Sequence, residues 1–222
     1  WTDYAQRVQY QVYDVAELIH QKNLAPVTII SHSLGGIIGL RYSGIYPENV
    51  TKLVAIEGLG LGRRRAKLGD EATAPKRYRN WIEELRKIGT WEERRYDSLE
   101  GAIERMAEAN GHLSAEQVRH LTTHGTKQND DGSLSWKFDH YFFTRFSAPA
   151  GIQPAEAHEM WSNIQCPALL VRGAESWATD PEEDGNASYF SDCTSVTVEN
   201  AAHWVHHDQL DVFLGHLRKF LG

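Results

Sequence analysis

Val27-Thr28-Ile29-Ile30-Ser31-His32-Ser33-Leu34-Gly35-Gly36 is the stretch on which the reading of this chain turns. Val27 to Ser31 is a short β-branched run of the kind found in strands buried on both faces. A helix follows from about Leu34 to Tyr46 and is stopped by Pro47, which cannot continue the hydrogen-bond ladder. Lys52-Leu53-Val54-Ala55-Ile56 reads as a second buried strand, closed by Glu57-Gly58. Strand, helix and strand at this spacing make a βαβ unit, so the two strands are expected to be parallel with a right-handed crossover.

Working outward, residues 3–22 read as a helix. Asp3 is placed to cap it, and Tyr4, Val8, Val12, Val15, Leu18 and Ile19 fall near helical spacing. Pro26 separates it from the first strand. On the other side, residues 62–160 are polar and helical, with start signals at Asp97-Ser-Leu-Glu100 and at the capping-box match Ser114-Ala-Glu-Gln117. Trp81, Leu85 and Ile88, then Ile103 and Met106, give these helices apolar stripes, read here as a packed interior. Strand character returns at Pro167–Val171, ending in Arg172-Gly173, and at Ser195–Glu199. A last helix from about Gln209 to Leu221 has Leu210, Val212, Phe213, Leu217 and Phe220 as its expected buried positions. The fold class is therefore α/β, with a core of 1–61 and 161–222 and a helical insertion of 62–160.

Composition narrows the functions. A formal charge of −7 over 222 residues argues against a general nucleic-acid binder, whose affinity rests on neutralising phosphates. Arg63, Arg64, Arg65 and Lys67 are the local exception and read as a solvated loop. No apolar run approaches the ~18 residues of a membrane span. Cys166 and Cys193 make neither a disulfide framework nor a metal-ligand spacing, so a cytoplasmic setting is the default.

The elbow carries chemistry. A serine hydroxyl is a weak nucleophile until a base removes its proton and a sharp turn exposes it. A strand-to-helix turn lifts Oγ above the sheet edge and presents the next residue's N–H, that of Leu34, at a helix N-terminus, where it can hold an oxyanion. Such a turn crowds its neighbours, so small residues are expected two before and two after Ser33. Ser31, Gly35 and Gly36 supply them, with Ser31 in place of the glycine of G-x-S-x-G.

From residue 27 onward the chain resembles the α/β-hydrolase superfamily over nearly its whole length. It is similar to the serine hydrolase-like group in the Ser33 elbow, Leu53-Val-Ala-Ile-Glu-Gly-Leu-Gly60 and Trp136-Lys-Phe-Asp139. The resemblance implies a base in the loop before the final helix, where His203 follows Ala201 and Ala202. His206 and His207 lie just beyond it, and this His-x-x-His-His group has no carboxylate or cysteine at metal spacing. The acid usually follows the strand that ends here at Gly173, three or four residues on, where this chain has Ser176 and Trp177. Glu175 is nearby and Asp180 further out. Haloalkane dehalogenases and some other members take a glutamate from the strand after the nucleophile, where Glu57 stands. A carboxylate ending a buried strand needs a partner, and an imidazolium is one. Glu57 is the expected acid and Glu175 the alternative.

The resemblance also implies about four strands ahead of residue 3, and a loop among them that supplies a second oxyanion donor. The chain, which opens at Trp1, thus reads as N-terminally truncated. Lacking one donor would cost roughly 3–4 kcal/mol of transition-state stabilisation, and strand 27–31 would keep an unpaired edge. The implied activity is hydrolysis of an ester, thioester or related acyl bond in a small-molecule substrate, without cofactor or metal, under a lid formed by 62–160. Carbon–carbon bond hydrolysis or perhydrolysis on the same groups, and non-catalytic ligand binding on the same fold, are the alternatives.

Overall fold

The β-branched runs do form the sheet, and its strands end together where the candidate residues lie. In the computed structural model, the residues described are 8–59, 73–90, 92–138 and 154–222. In chain order the elements are α1 (Val8–Gln21), β1 (Val27–His32), α2 (Leu34–Ile45), β2 (Val50–Ile56), α3 (Ala74–Gly89), α4 (Leu99–Ala109), α5 (Ala115–Gly125), β3 (Thr126–Gln128) and β4 (Leu134–Trp136). They continue with α6 (Pro154–Ser162), β5 (Ala168–Gly173), β6 (Cys193–Val198), α7 (Val205–Asp208) and α8 (Leu210–Leu221). The chain divides into two compact units, one around 74–149 and one made of 7–73 with 150–222.

The larger unit holds a four-stranded sheet in the order β1-β2-β5-β6, parallel throughout. Alternation along β2 sends Leu53 and Ala55 to one face, with Ile19, Leu40, Trp161 and Leu170. Val54 and Ile56 go to the other, with Leu169, Val171, Val198 and Phe213. Both faces are thus covered by helices, which is why β2 and β5 read as continuous apolar runs. Helix α6 packs against α2: a Cβ on Gly44 would lie 2.4 Å from the Met160 carbonyl oxygen, and Asn163 Nδ2 donates to Gly44 O at 2.7 Å.

Three sequence expectations change in this unit. β1 is not buried on both faces: Ile30 is 48% exposed. Among the described residues β1 pairs only with β2, and the α8 face is filled from β2, β5 and β6. In α8, Leu210 and Val212 face solvent while Phe213 is buried and Leu214, Leu217 and Phe220 pack beside it, since one stripe at helical spacing meets the sheet. In α1, Val8, Val12 and Ile19 are buried but Leu18 is exposed. Asp3 and Tyr4 lie outside the described residues, as do Arg63, Arg64, Arg65, Lys67, Gly60 and Asp139.

In the smaller unit both start signals act as caps. Ser98 Oγ accepts the Gly101 N–H at 3.2 Å, and Ser114 and Gln117 bond reciprocally. The unit is not helical throughout, because β3 and β4 form an antiparallel hairpin. Asn129-Asp130-Asp131-Gly132 provides its turn, with Gly132 at positive φ. Trp136 Nε1 donates to the Tyr96 hydroxyl at 3.2 Å, the two rings edge to face. No helix among the described residues is long and apolar enough to cross a membrane.

Candidate active site

Strands β1 and β2 each continue one rung beyond their last residue and then turn sharply. Ser33 N–H donates to Ile56 O and Glu57 N–H to Val171 O, both at 2.8 Å. Immediately after, the chain bends through positive φ, 54° at Ser33 and 52° at Glu57. For residues with a Cβ such conformations cost about 1–3 kcal/mol each and persist only where the surroundings hold them. Here the extra rungs do so, and both side chains leave the same edge of the sheet.

The small residues around Ser33 have distinct jobs. Ser31, in the usual glycine place, satisfies its hydroxyl by donating to Val54 O at 3.1 Å. A Cβ on Gly35 would meet nothing nearer than Ser31 Cβ at 3.8 Å, an ordinary contact, so crowding does not demand glycine there. Gly36 is the demanding position: its Cβ would fall 2.4 Å from Gly58 Cα, where α2 meets the turn after β2. Leu34 opens α2, and its N–H is among the first-turn amides that a helix leaves without an internal partner.

His203 comes from the loop between β6 and α7. Gly173 lets that loop approach, since a Cβ there would lie 2.2 Å from Ala202 O. The Glu175 N–H holds Ala201 O at 2.9 Å, and Asp208 Oδ2 accepts the Ala202 N–H at 2.8 Å. His203 Nε2 then lies 2.8 Å from Ser33 Oγ, and its Nδ1 lies 3.3 Å from Glu57 Oε2. The Glu57 side chain is fully buried. Its Oε1 accepts the Gly173 N–H at 2.8 Å, and its Oε2 also accepts the Ser176 hydroxyl at 2.6 Å. Those donors offset the cost of burying a carboxylate. A hydroxyl facing one imidazole nitrogen, with a buried carboxylate facing the other, can pass its proton to the ring while the carboxylate balances the charge.

The other acid candidates lie elsewhere. Glu175 is exposed and meets the histidine loop through its backbone. Asp180 accepts from Thr197 Oγ1 at 3.0 Å and lies 3.9 Å from an Arg172 nitrogen. Burial pulls its carboxyl up, but bonds from the Glu182 N–H and Thr197 outweigh that and hold it below its ordinary value.

His32, which sequence reasoning passes over, joins Trp177 beside His203. His32 and Trp177 set their rings 4.8 Å and 5.1 Å from it. His206 lies 4.7 Å from His32. Burial, then the neighbouring imidazoles of His32, His207 and His203, push His206 down to about 4. Burial likewise lowers His32 and His207. Ser176 and Trp177 stand in the loop where the acid is usually found, and a hydroxyl there is the available signal for a partner of Glu57. A cavity beside Glu57, lined also by Leu59, Val171, Trp177, Ala178 and Pro181, has room for water. Among the described residues, no cluster of three or more His, Cys, Asp or Glu is arranged to hold a metal ion.

Parallel strands, a serine on the turn into a helix and a histidine after the last strand define a class of proteins. The chain belongs to the alpha/beta hydrolase family, whose model matches residues 1–215. It is 21% identical over 214 residues to Esterase YbfF of Escherichia coli (strain K12), covering 94% of this chain and 72% of that protein. Its fold is similar to that of the thioesterase domain from the curacin biosynthetic pathway, with a TM-score of 0.78 at 18% identity over 96% of this chain and 73% of that one. The Mycobacterium tuberculosis esterase Rv0045c gives a TM-score of 0.73 at 21% identity, covering 97% and 69% of the two chains.

Proposed function

We propose that this protein is a serine hydrolase that cleaves an ester, thioester or related acyl bond through an acyl-enzyme, with Ser33 as nucleophile, His203 as base and Glu57 as acid. The observation that carries the reading is one imidazole within reach of both partners, 2.8 Å from Ser33 Oγ and 3.3 Å from Glu57 Oε2. The acyl class is supported by the names of similar proteins, an esterase and a thioesterase domain.

In this reading His203 Nε2 takes the Ser33 proton as Oγ bonds to the acyl carbon. The Leu34 N–H holds the resulting oxyanion. Glu57 keeps the imidazole in the tautomer with Nδ1–H and balances the imidazolium. The tetrahedral adduct collapses, the carbon–oxygen or carbon–sulfur bond breaks, and the leaving group departs with the proton from Nε2. Water then gives a proton to His203 Nε2 and attacks the acyl carbon; the bond from Ser33 Oγ to that carbon breaks, the acid leaves, and Nε2 returns the proton to Oγ.

Fluorophosphonate labelling tests the assignment. The wild-type protein should label and Ser33→Ala should not, while His203→Ala labels at least a hundredfold more slowly, the order of loss for an unactivated serine. Labelling that survives Ser33→Ala would refute it.

A further inference from the structure

We propose that His32 is a positioning residue for His203: its ring N–H, donated to the His203 carbonyl oxygen, locks the loop carrying the base onto the elbow carrying the nucleophile. This rests on the reading of Ser33 and His203 given above.

His32 precedes Ser33 directly, and its Nε2 lies 2.7 Å from the main-chain oxygen of a residue 171 positions away. A carbonyl only accepts, so Nε2 bears the proton, which fixes the His32 tautomer. Ala201 and Ala202 are tied to the Glu175 backbone and to Asp208. The bond from His32 ties the loop to the elbow itself. Any sliding of the loop that lengthened the Ser33–His203 contact would also stretch this second bond, so the two brace each other.

The ring is lodged for that task. It packs 4.8 Å from His203, 4.9 Å from Trp204 and 4.7 Å from His206. The titratable groups facing it are His203, His206 and His207 from the loop and α7, and Glu57 from the end of β2. Burial, first among the causes, lowers its pKa despite the bond to His203. A neutral ring keeps a second cation away from the imidazolium that forms during turnover.

Two substitutions separate bracing from ring packing. His32→Gln keeps an N–H that can reach the carbonyl and loses the ring, whereas His32→Phe keeps a ring and loses the N–H. Steady-state turnover of a p-nitrophenyl ester is measured for both, with thermal melts and with Ser33→Ala and His203→Ala as controls. His32→Phe should lose roughly 30-fold in kcat with KM within about threefold, as expected when a reacting pair loses its alignment. His32→Gln should stay within about fivefold of wild type. Should His32→Phe melt early, His32→Leu carries the same test with a smaller side chain. The proposal is overturned if the Phe or Leu variant keeps wild-type kcat, if Gln loses as much as Phe, or if the loss lies in KM alone. In all three cases inactive Ser33→Ala and His203→Ala leave the triad standing. Turnover by either control would instead refute the triad, and the proposal with it.

Discussion

Replacing Glu57 by glutamine keeps the size and shape of the side chain and removes its charge. The carbonyl of the new amide can still accept the Gly173 N–H, but an NH2 group then faces Ser176 and His203. Ser176 can adapt by accepting. His203 cannot do so without surrendering the Nδ1 proton, which puts the ring's proton on Nε2, where it can no longer take one from Ser33. The size of the loss follows from the geometry. At the 3.3 Å separation in the structure, a full charge pair in an effective dielectric of about 20 is worth about 5 kcal/mol, or between three and four decades of rate. Steady-state kinetics on a p-nitrophenyl ester should show kcat/KM down by about 10³–10⁴ for Glu57→Gln, with KM changed by less than about tenfold. Glu175→Gln, a change at the exposed carboxylate, should stay within about twofold. A Glu57→Gln enzyme that kept a tenth of its activity, or a Glu175→Gln enzyme that lost as much, would refute the assignment.

Other consequences can be checked separately. Ser176→Ala removes a donor from the buried Glu57 carboxylate, a bond worth about 1.5–3 kcal/mol, so kcat/KM should fall roughly 10- to 100-fold; unchanged kinetics would show that Gly173 suffices. Gly36→Ala should cost about 1–3 kcal/mol in urea denaturation because its Cβ meets backbone, while Gly35→Ala should shift stability by no more than about 0.5 kcal/mol; equal costs would contradict the packing described. His206 takes up a proton in the unfolded chain near its ordinary 6.5 but in the folded protein only near about 4. The stability linked to His206 is therefore complete above pH 6.5 and is lost as pH falls from 6.5 toward 4, by about 1–2 kcal/mol after allowing for partial exposure of the ring. His206→Leu should flatten that decline, leaving the smaller parts from His32 and His207, and an unchanged slope would count against it.

What is legible in the sequence follows from how local each signal is. The apolar runs at 27–31 and 52–56, with a helix between them, are enough for the parallel βαβ unit, and burial on both faces makes the second of them continuously hydrophobic. Ser33 and His203 can be located by their places relative to strand ends. The contact between Glu57 and His203 spans 146 residues, and no pattern around either residue encodes that distance. It can only be weighed through the emptiness of the usual acid position and the cost of a carboxylate ending a buried strand. Ile30 departs from its expected burial because, among the described residues, β1 pairs only with β2 and the α8 face is filled from β2, β5 and β6. The hairpin at Thr126–Trp136 escapes the pattern since strands of three residues are too short to show alternation, although Asn129-Asp130-Asp131-Gly132 is readable as a turn. His32 is invisible as a partner of His203 for the same reason as Glu57: its role depends on a bond across the fold.

In the proposed mechanism catalysis passes through an ester on Ser33. Quenching the protein in acid milliseconds after mixing with p-nitrophenyl acetate, then mapping its peptides by mass spectrometry, tests that most directly. An acetyl group is expected on Ser33, accumulating in the His203→Ala or Glu57→Gln background if deacylation slows more than acylation, and absent from Ser33→Ala. Turnover of the ester with unmodified Ser33 at every time point, together with undiminished turnover by Ser33→Ala, would contradict it.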